Sequence, residues 1–255
     1  PNPEPITPNH PMIKTAIIGT GIICEQHTQG LGRVPEAKLV GVCDLSQAMA
    51  DFAKSRFGAQ KAFTDYRQML DQTQPDVVHV LTPPHTHVSL VTDCLEAGSH
   101  VIVEKPVAPT YGDFCKVLEV AKQHQRHLIE DQNYRFNKPI QTMRRWAEQG
   151  RLGSIQEIDV CMSLNIRSPK NRYADRNLPH PSHQLPAGVI HEFVTHLCYL
   201  LLHFIPSQKE VAFNQLHAFW SNHGGGETEN DLFKFDDLDA SLIIDGVHGR
   251  VRFTS

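Results

Sequence analysis

The sequence predicts an α/β protein: an N-terminal parallel sheet covered by helices on both faces, then a second α/β domain built on a mostly antiparallel sheet. Three observations carry this prediction. From Ile13 to about Asn133, short and continuously apolar runs alternate with segments of helical spacing, as parallel strands buried on both faces require. A Gly-x-Gly turn, Gly19 and Gly21, stands between the first such run and the first helix. Past Asn133 the rhythm changes to longer, partly alternating runs joined by hairpin-like turns.

Composition sets the outer bounds. At 255 residues, with 40% hydrophobic and 20% charged residues, the chain supports a sizeable core in one large or two ordinary domains. A formal net charge of -4 without a basic stripe argues against a nucleic-acid partner. No apolar run approaches a bilayer span, and no secretory h-region opens the chain, so no membrane partner is expected. The six cysteines lie far apart, several within apolar segments, as buried thiols in a reducing cytoplasm would. The expected localisation is cytoplasmic.

Residues 1–11 hold five prolines and almost nothing apolar, and read as a flexible arm. Ile13 to Ile18 is the first strand, and Ile22 to about Val34 the first helix. Ala37 to Cys43 is the second strand, closed by Asp44; Ser46 is placed to cap a helix that runs to Phe57 and stops at Gly58. A short strand at Ala62-Phe63 and a helix from Tyr66 to Leu70 lead to the buried strand Val77 to Leu81, ending at Thr82-Pro83-Pro84. A helix from about Val88 to Ala97 stops at Gly98, and His100 to Val103 is the next strand. A helix near Tyr111 to His124 and a strand near Leu128 to Asn133 complete the first domain.

The second domain is expected to span residues 133–255, after a dinucleotide-binding domain over residues 12–132. It opens with a helix near Pro139 to Gln149, ended by Gly150, and a strand from Ile155 to Leu164. A Pro- and His-rich loop follows to Pro186, then the helix Gly188 to Phe204 and strands near Val211 to Trp220, Leu238 to Ile244 and Gly249 to Phe253. Turns are expected at Asp245-Gly246 and at His248-Gly249. The last run reads as mid-sheet. An open edge there would need cover, so truncation at the C-terminus or a homo-oligomer contact through this sheet is expected.

Chemistry concentrates in three places. Gly19-Thr20-Gly21-Ile22-Ile23-Cys24 lies where a strand passes into a helix. The first glycine permits the tight turn, the second lets backbone approach a pyrophosphate, and the helix N-terminus offers free N–H groups. This is the N-terminal Rossmann pattern, with Cys24 in place of its third glycine. Asp44 follows about 20 residues after the turn, where an acid binds the ribose 2′-hydroxyl. An acid there repels a 2′-phosphate, and no Arg follows in Leu45-Ser46-Gln47. NAD is therefore the expected cofactor, with NADP the lesser option.

Glu104 and Lys105 end the strand Val101 to Val103, where ligands bind in open parallel sheets; taken alone, they read more readily as solvated loop charges. On the helix Gly188 to Phe204, apolar around most of its circumference, Glu192, His196, Tyr199 and His203 form a polar stripe at spacings of four, three and four. A buried carboxylate needs a partner, and His196 or a cation such as Lys105 is expected to supply it. A carboxylate held against imidazole suits a general base; a satisfied core histidine is the competing reading. His180, His183, His191 and His196 lack the compact spacing of a zinc site, so no metal is expected. Arg167, Arg172 and Arg176 stand in the same loop, where they either recognise an anionic or polyhydroxylated substrate or are simply solvated.

These residues resemble the Gfo/Idh/MocA oxidoreductases from about Met12 onward. The resemblance is carried by Gly19-x-Gly21 with His27, Asp44, Thr82-Pro83 with His87, Ala97-Gly98-Ser99-His100-Val101, Glu104-Lys105-Pro106, Arg135-Phe136 and Gly150-x-x-Gly153. It implies cofactor contacts from Gly19, Thr20, Gly21, Ile22, Ile23, Asp44, Thr82, Pro83, His87, Glu104 and Lys105. It implies a lysine beside the nicotinamide at Lys105 and a proton acceptor at His196. The family's Asp-x-x-x-His aligns with Glu192 and His196, an acid one methylene longer. The expected activity is NAD(P)-dependent hydride transfer with a secondary alcohol or ketone of a sugar, polyol or related small molecule. Lys105, His196 and Glu192 are the expected catalytic set. A non-catalytic dinucleotide-binding sensor or assembly subunit of the same fold is the alternative.

Overall fold

The computed structural model describes residues 11–178, 180–205, 213–222 and 233–255. Residues 1–10 of the expected arm, and Val211 at the head of an expected strand, lie outside the described residues. The chain divides into two compact units, one ending at Asp131 and the other beginning at Gln132.

In the first unit, β1 (Ile13–Ile18), β2 (Ala37–Cys43), β3 (Lys61–Phe63), β4 (Val77–Val80), β5 (His100–Val103) and β6 (Leu128–Glu130) form one sheet in the order β3-β2-β1-β4-β5-β6. Every pairing is parallel. Helices α1 (Ile22–Leu31), α2 (Gln47–Phe57), α3 (Tyr66–Thr73), α4 (His87–Glu96) and α5 (Tyr111–Gln123) connect the strands. The apolar runs are continuous because both faces are buried. Ala16 and Ile18 of β1 pack with Val78, Val101 and Leu90, whereas Ile17 packs with Val42, Ala53 and Leu81 in a separate cluster. Strand order reverses between β1 and β4, the point at which such sheets open a crevice at their carboxyl ends.

Local chemistry sets the helix ends. Ser46 Oγ accepts from the Met49 N–H and caps α2, and Gly58 closes that helix in the left-handed region at φ 72°. Asp65 caps α3, which runs on to Thr73, three residues past the expected end. The expected strand to Asn133 stops earlier: β6 ends at Glu130, and Asn133–Phe136 form a 3-10 turn.

In the second unit, α6 (Lys138–Glu148) and β7 (Glu157–Ser163) precede α7 (Val189–His203), β8 (Phe213–Ser221), β9 (Asp237–Ile244) and β10 (Val247–Thr254). The sheet order is β7-β10-β9-β8; β9 is antiparallel to both neighbours, and β7 runs parallel to β10. One face packs under α7: Ile190, Leu197 and Leu201 share a core with Leu238, Leu242, Ile244, Val251 and Phe253. The opposite face of the sheet is charged, with Arg252 paired to Asp159 at 2.7 Å and Arg250 paired to Asp239.

One expectation here needs correction. Asp245 (φ 50°) and Gly246 (φ 80°) make the two-residue turn, after which Val247 pairs with Ile244. His248-Gly249 is therefore no turn but lies inside β10. Gly249 is required by packing instead, since a Cβ there would stand 2.9 Å from Leu201 Cδ1 of α7. The run Arg250 to Phe253 lies mid-sheet, as expected, with β10 paired on both sides.

Candidate functional site

The first unit builds a cradle at the carboxyl end of β1. Gly19 has φ 93°, donates to the Cys43 carbonyl at 2.9 Å, and leaves no room for a side chain: a Cβ would meet Leu81 O at 2.8 Å. Gly21 is the N-cap of α1 without a side-chain cap bond, so the N–H groups at the first turn of Ile22 and Ile23 are not spent on one. A Cβ at Gly21 would meet nothing within 4 Å, which makes this the open side of the cradle. Cys24 is fully buried; burial first, and Asp44 second, push its thiol up to about 11, so it packs rather than reacts.

Asp44 closes the cradle. Its Oδ2 accepts from the Thr20 N–H at 3.0 Å and the Thr20 hydroxyl at 2.8 Å, and its Oδ1 accepts from the Ser46 N–H at 3.0 Å. Burial opposes its charge, but these donors outweigh burial and hold the carboxyl below the usual range. Three of the roughly four acceptor positions of a carboxylate are thus used, which leaves room for a ribose hydroxyl. This geometry fits a dinucleotide.

The neighbouring strand ends carry the other expected residues. Thr82 Oγ1 lies 2.7 Å from Thr86 Oγ1, and Pro83 precedes a 3-10 turn at Pro84–Thr86. His87 is fully buried, with Nδ1 2.8 Å from Pro106 O and Nε2 2.7 Å from Thr82 O. It braces the two loops against each other from within, and burial lowers its pKa. Glu104 holds the end of β5 to β4 through its N–H on Val80 O at 3.0 Å, and the Lys105–Pro106 peptide is cis.

Two residues not singled out from the sequence join this edge. His27 Nε2 lies 3.6 Å from both Glu104 Oε1 and Asp131 Oδ2, and its Nδ1 lies 3.1 Å from His79 Nδ1. His79 is the one polar residue in the apolar strand Val-Val-His-Val, a signal available in the sequence; Asp131 had none. Among the described residues, His27, Glu104 and Asp131 also form the one grouping of three metal-competent side chains with donor atoms within 4.8 Å of one another.

The second unit presents the acid–histidine helix. His196 and Tyr199 of α7 are buried, and the Tyr199 hydroxyl meets His196 Nδ1 at 2.7 Å. That hydroxyl also accepts from the Tyr134 N–H at 3.2 Å and lies 3.3 Å from Asn133 Oδ1, while the Tyr134 ring lies against the imidazole at 4.6 Å. The ring is therefore held by its Nδ1 and by one face. Glu192 is 8% exposed; its Oε1 accepts from the Tyr173 hydroxyl at 3.3 Å and lies 3.9 Å from Arg172, and its Oε2 lies 3.8 Å from His180 Nδ1. The loop thus supplies partners for the acid that helical spacing did not point to. His203, last in the stripe, accepts from Arg135 at 3.2 Å. Arg167 is committed to structure: it pairs with Asp236 at 2.7 Å and lies over the Phe233 ring.

An ionised acid at the rim of a glycine cradle, beside an uncapped helix N-terminus, places the first unit in the class of NAD-binding Rossmann proteins. Residues 13–132 match the model described as oxidoreductase family, NAD-binding Rossmann fold. Over these residues the chain is similar to the Gfo/Idh/MocA family. It is 29% identical over 188 residues to an uncharacterized oxidoreductase of Schizosaccharomyces pombe, covering 72% of this chain and 49% of the relative. It is 31% identical over 161 residues to inositol 2-dehydrogenase 1 of Saccharopolyspora erythraea, covering 61% and 47%. The matched stretches thus span about half the length of these relatives. A crystal structure of the WlbA dehydrogenase of Chromobacterium violaceum, in complex with NADH and UDP-GlcNAcA, superposes with a TM-score of 0.78 at 26% identity, covering 98% of this chain and 68% of that one. Among the described residues, no helix is long and apolar enough to cross a membrane.

Proposed function

We propose that this chain is an NAD-dependent dehydrogenase that exchanges a hydride with a secondary alcohol or ketone of a sugar, polyol or related small molecule. The observation that carries the reading is the Gly19–Asp44 cradle, in which an open glycine face and a hydrogen-bonded, ionised acid stand at the switch point of a parallel sheet. The name of the inositol 2-dehydrogenase relative and the sugar nucleotide in the WlbA complex support a polyhydroxylated substrate.

NAD, when bound, supplies the hydride acceptor. Gly21 and the first turn of α1 would hold its pyrophosphate through backbone N–H groups, Gly19 and Thr20 would shape the turn that admits it, and Asp44 would accept from a ribose hydroxyl. Its carboxylate repels a 2′-phosphate, which favours NAD over NADP. Following the family resemblance, Lys105 donates to the reacting oxygen and His196 takes the hydroxyl proton. Tyr199 fixes the His196 ring through Nδ1, and Glu192 holds the surrounding loop and stabilises positive charge on the helix. The charged outer face of the second sheet is the surface through which two copies of the chain associate in this reading.

The test has two stages. Calorimetric titration with NAD establishes binding, and a screen of sugars and polyols for NADH production then establishes turnover. Binding without turnover on any member of the screen would leave a dinucleotide-binding subunit in place of an enzyme. Light scattering reports the association state.

A further inference from the structure

Four titratable groups at the cofactor edge have no part in the steps above. His27 lies on α1, His79 in β4, Glu104 just past β5 and Asp131 just past β6, so one cluster ties a helix to three adjacent strands. The side chains of His27 and Glu104 are only 10% and 16% exposed. His27 Nε2 faces two carboxylate oxygens at 3.6 Å, an arrangement that favours a proton on that nitrogen. Its Nδ1 stands 3.1 Å from His79 Nδ1, where one nitrogen donates and the other accepts. A proton on each nitrogen of His27 gives every one of these contacts a donor, with His79 as the neutral acceptor.

We propose that His27 is a positioning residue: an imidazolium that ties Glu104 to Asp131 and so fixes the backbone that carries Lys105. Glu104 is the link, because its carboxylate accepts from the Lys105 N–H at 3.3 Å while its own N–H is held by β4. The inference rests on the reading of Lys105 as the group that works beside the nicotinamide. Electrostatics agree with the geometry. Burial pulls the His27 pKa down, but the bonds to Asp131 and Glu104 outweigh it and raise the value to about 9. Burial, then the charge on His27, depress His79 to about 4. Among the described residues, the titratable groups facing His27 are His79 from β4, Glu104 past β5 and Asp131 past β6.

The test needs no substrate. In chain labelled with 15N-histidine, His27 should show both ring nitrogens protonated at neutral pH and lose one proton near about pH 9. The NADH dissociation constant, followed by fluorescence, should stay level until about pH 8.5 and then rise. His27→Gln should bind NADH roughly tenfold more weakly at neutral pH, the loss expected of a charge-assisted bond, with the alkaline rise gone. His27→Lys, which keeps the charge, should restore affinity to within about threefold. A merely structural histidine would shift affinity without removing the inflection. A neutral His27 ring at pH 7 overturns the proposal; so does an unchanged profile in His27→Gln, or one divalent ion per chain by elemental analysis, since an ion would displace the Nε2 proton. If His27→Gln does not fold, the ring titration of the unaltered chain decides. A Lys105→Met variant with intact turnover overturns the Lys105 reading while leaving the His27 titration as measured, so the two failures are distinguishable.

Discussion

Thr20 and Asp44 are joined twice, through the backbone N–H at 3.0 Å and the hydroxyl at 2.8 Å, across the tips of two adjacent strands. The acid is thereby aimed before any ligand arrives, and its remaining acceptor capacity is reserved for one. Asp44→Asn keeps an oxygen for Thr20 but removes the charge. We expect NADH affinity to fall roughly tenfold or more, as for loss of a bond to a charged group, and the NADH-to-NADPH preference to narrow. Parallel calorimetric titrations check both.

The two glycines of the turn should separate fold from binding. Gly21 has φ -70° and open space at its Cβ position, so Gly21→Ala should keep its thermal stability within about 0.5 kcal/mol. The added methyl would nevertheless occupy the cradle and weaken NAD by at least roughly tenfold. Gly19→Ala places a Cβ 2.8 Å from Leu81 O at a positive φ, and should destabilise the first unit outright. Melting curves with and without NAD distinguish the pair.

The His27–His79 contact makes opposite demands on stability at the two ends of the pH range. His27 holds its proton in the folded state up to about 9 against an ordinary value of 6.5, so its contribution is complete below 6.5 and is lost as pH rises through about 9. His79 stays neutral down to about 4, so between 6.5 and 4 the unfolded chain takes up a proton that the folded chain refuses, and stability falls with acid. Stability should peak near neutrality, with each limb sloping by up to about 1.4 kcal/mol per pH unit. Denaturation across pH should show the alkaline limb flattened in His27→Gln and the acid limb flattened in His79→Gln.

His196→Asn should lower turnover by about 10²- to 10⁴-fold with NAD affinity unchanged, the loss of a positioned acid–base group. Tyr199→Phe should produce a smaller loss of roughly tenfold, because the ring keeps its chemistry but loses the bond at Nδ1. Steady-state kinetics on the substrate found by screening measures both.

Gly249→Ala should cost about 1–3 kcal/mol by overpacking against Leu201. Combining it with Leu201→Val should recover part of that loss, so denaturant unfolding of the four proteins should give a favourable coupling.

The first unit was legible because its signals are local. Ser46 and Gly58 bracket α2 by capping chemistry, and the apolar runs of β1, β2 and β4 admit no other use than burial on both faces. The second unit was less so. Gly249 looks like a turn residue until Leu201, distant in sequence, is packed on it. The partners of Glu192, namely Tyr173, Arg172 and His180, come from a loop with no periodicity to read. Helical spacing correctly grouped Glu192, His196 and Tyr199 on one helix, yet spacing says nothing of which neighbour takes which nitrogen, and Tyr199 holds His196 Nδ1. Asp131 was invisible for a similar reason: a single acid after a short strand acquires meaning only when His27 is brought to it.

The parallel ladder between β7 and β10 has a consequence for synthesis on the ribosome. All six strands of the first sheet are delivered by the time Glu130 has been made, so that sheet can close while translation continues. In the second sheet, among the described residues, the earliest strand, Glu157–Ser163, pairs with the last of them in chain order, Val247–Thr254. The nascent chain therefore carries β7 without this partner for the whole interval in which α7, β8 and β9 emerge. That interval is where chaperone engagement and off-pathway association would concentrate during production of this protein.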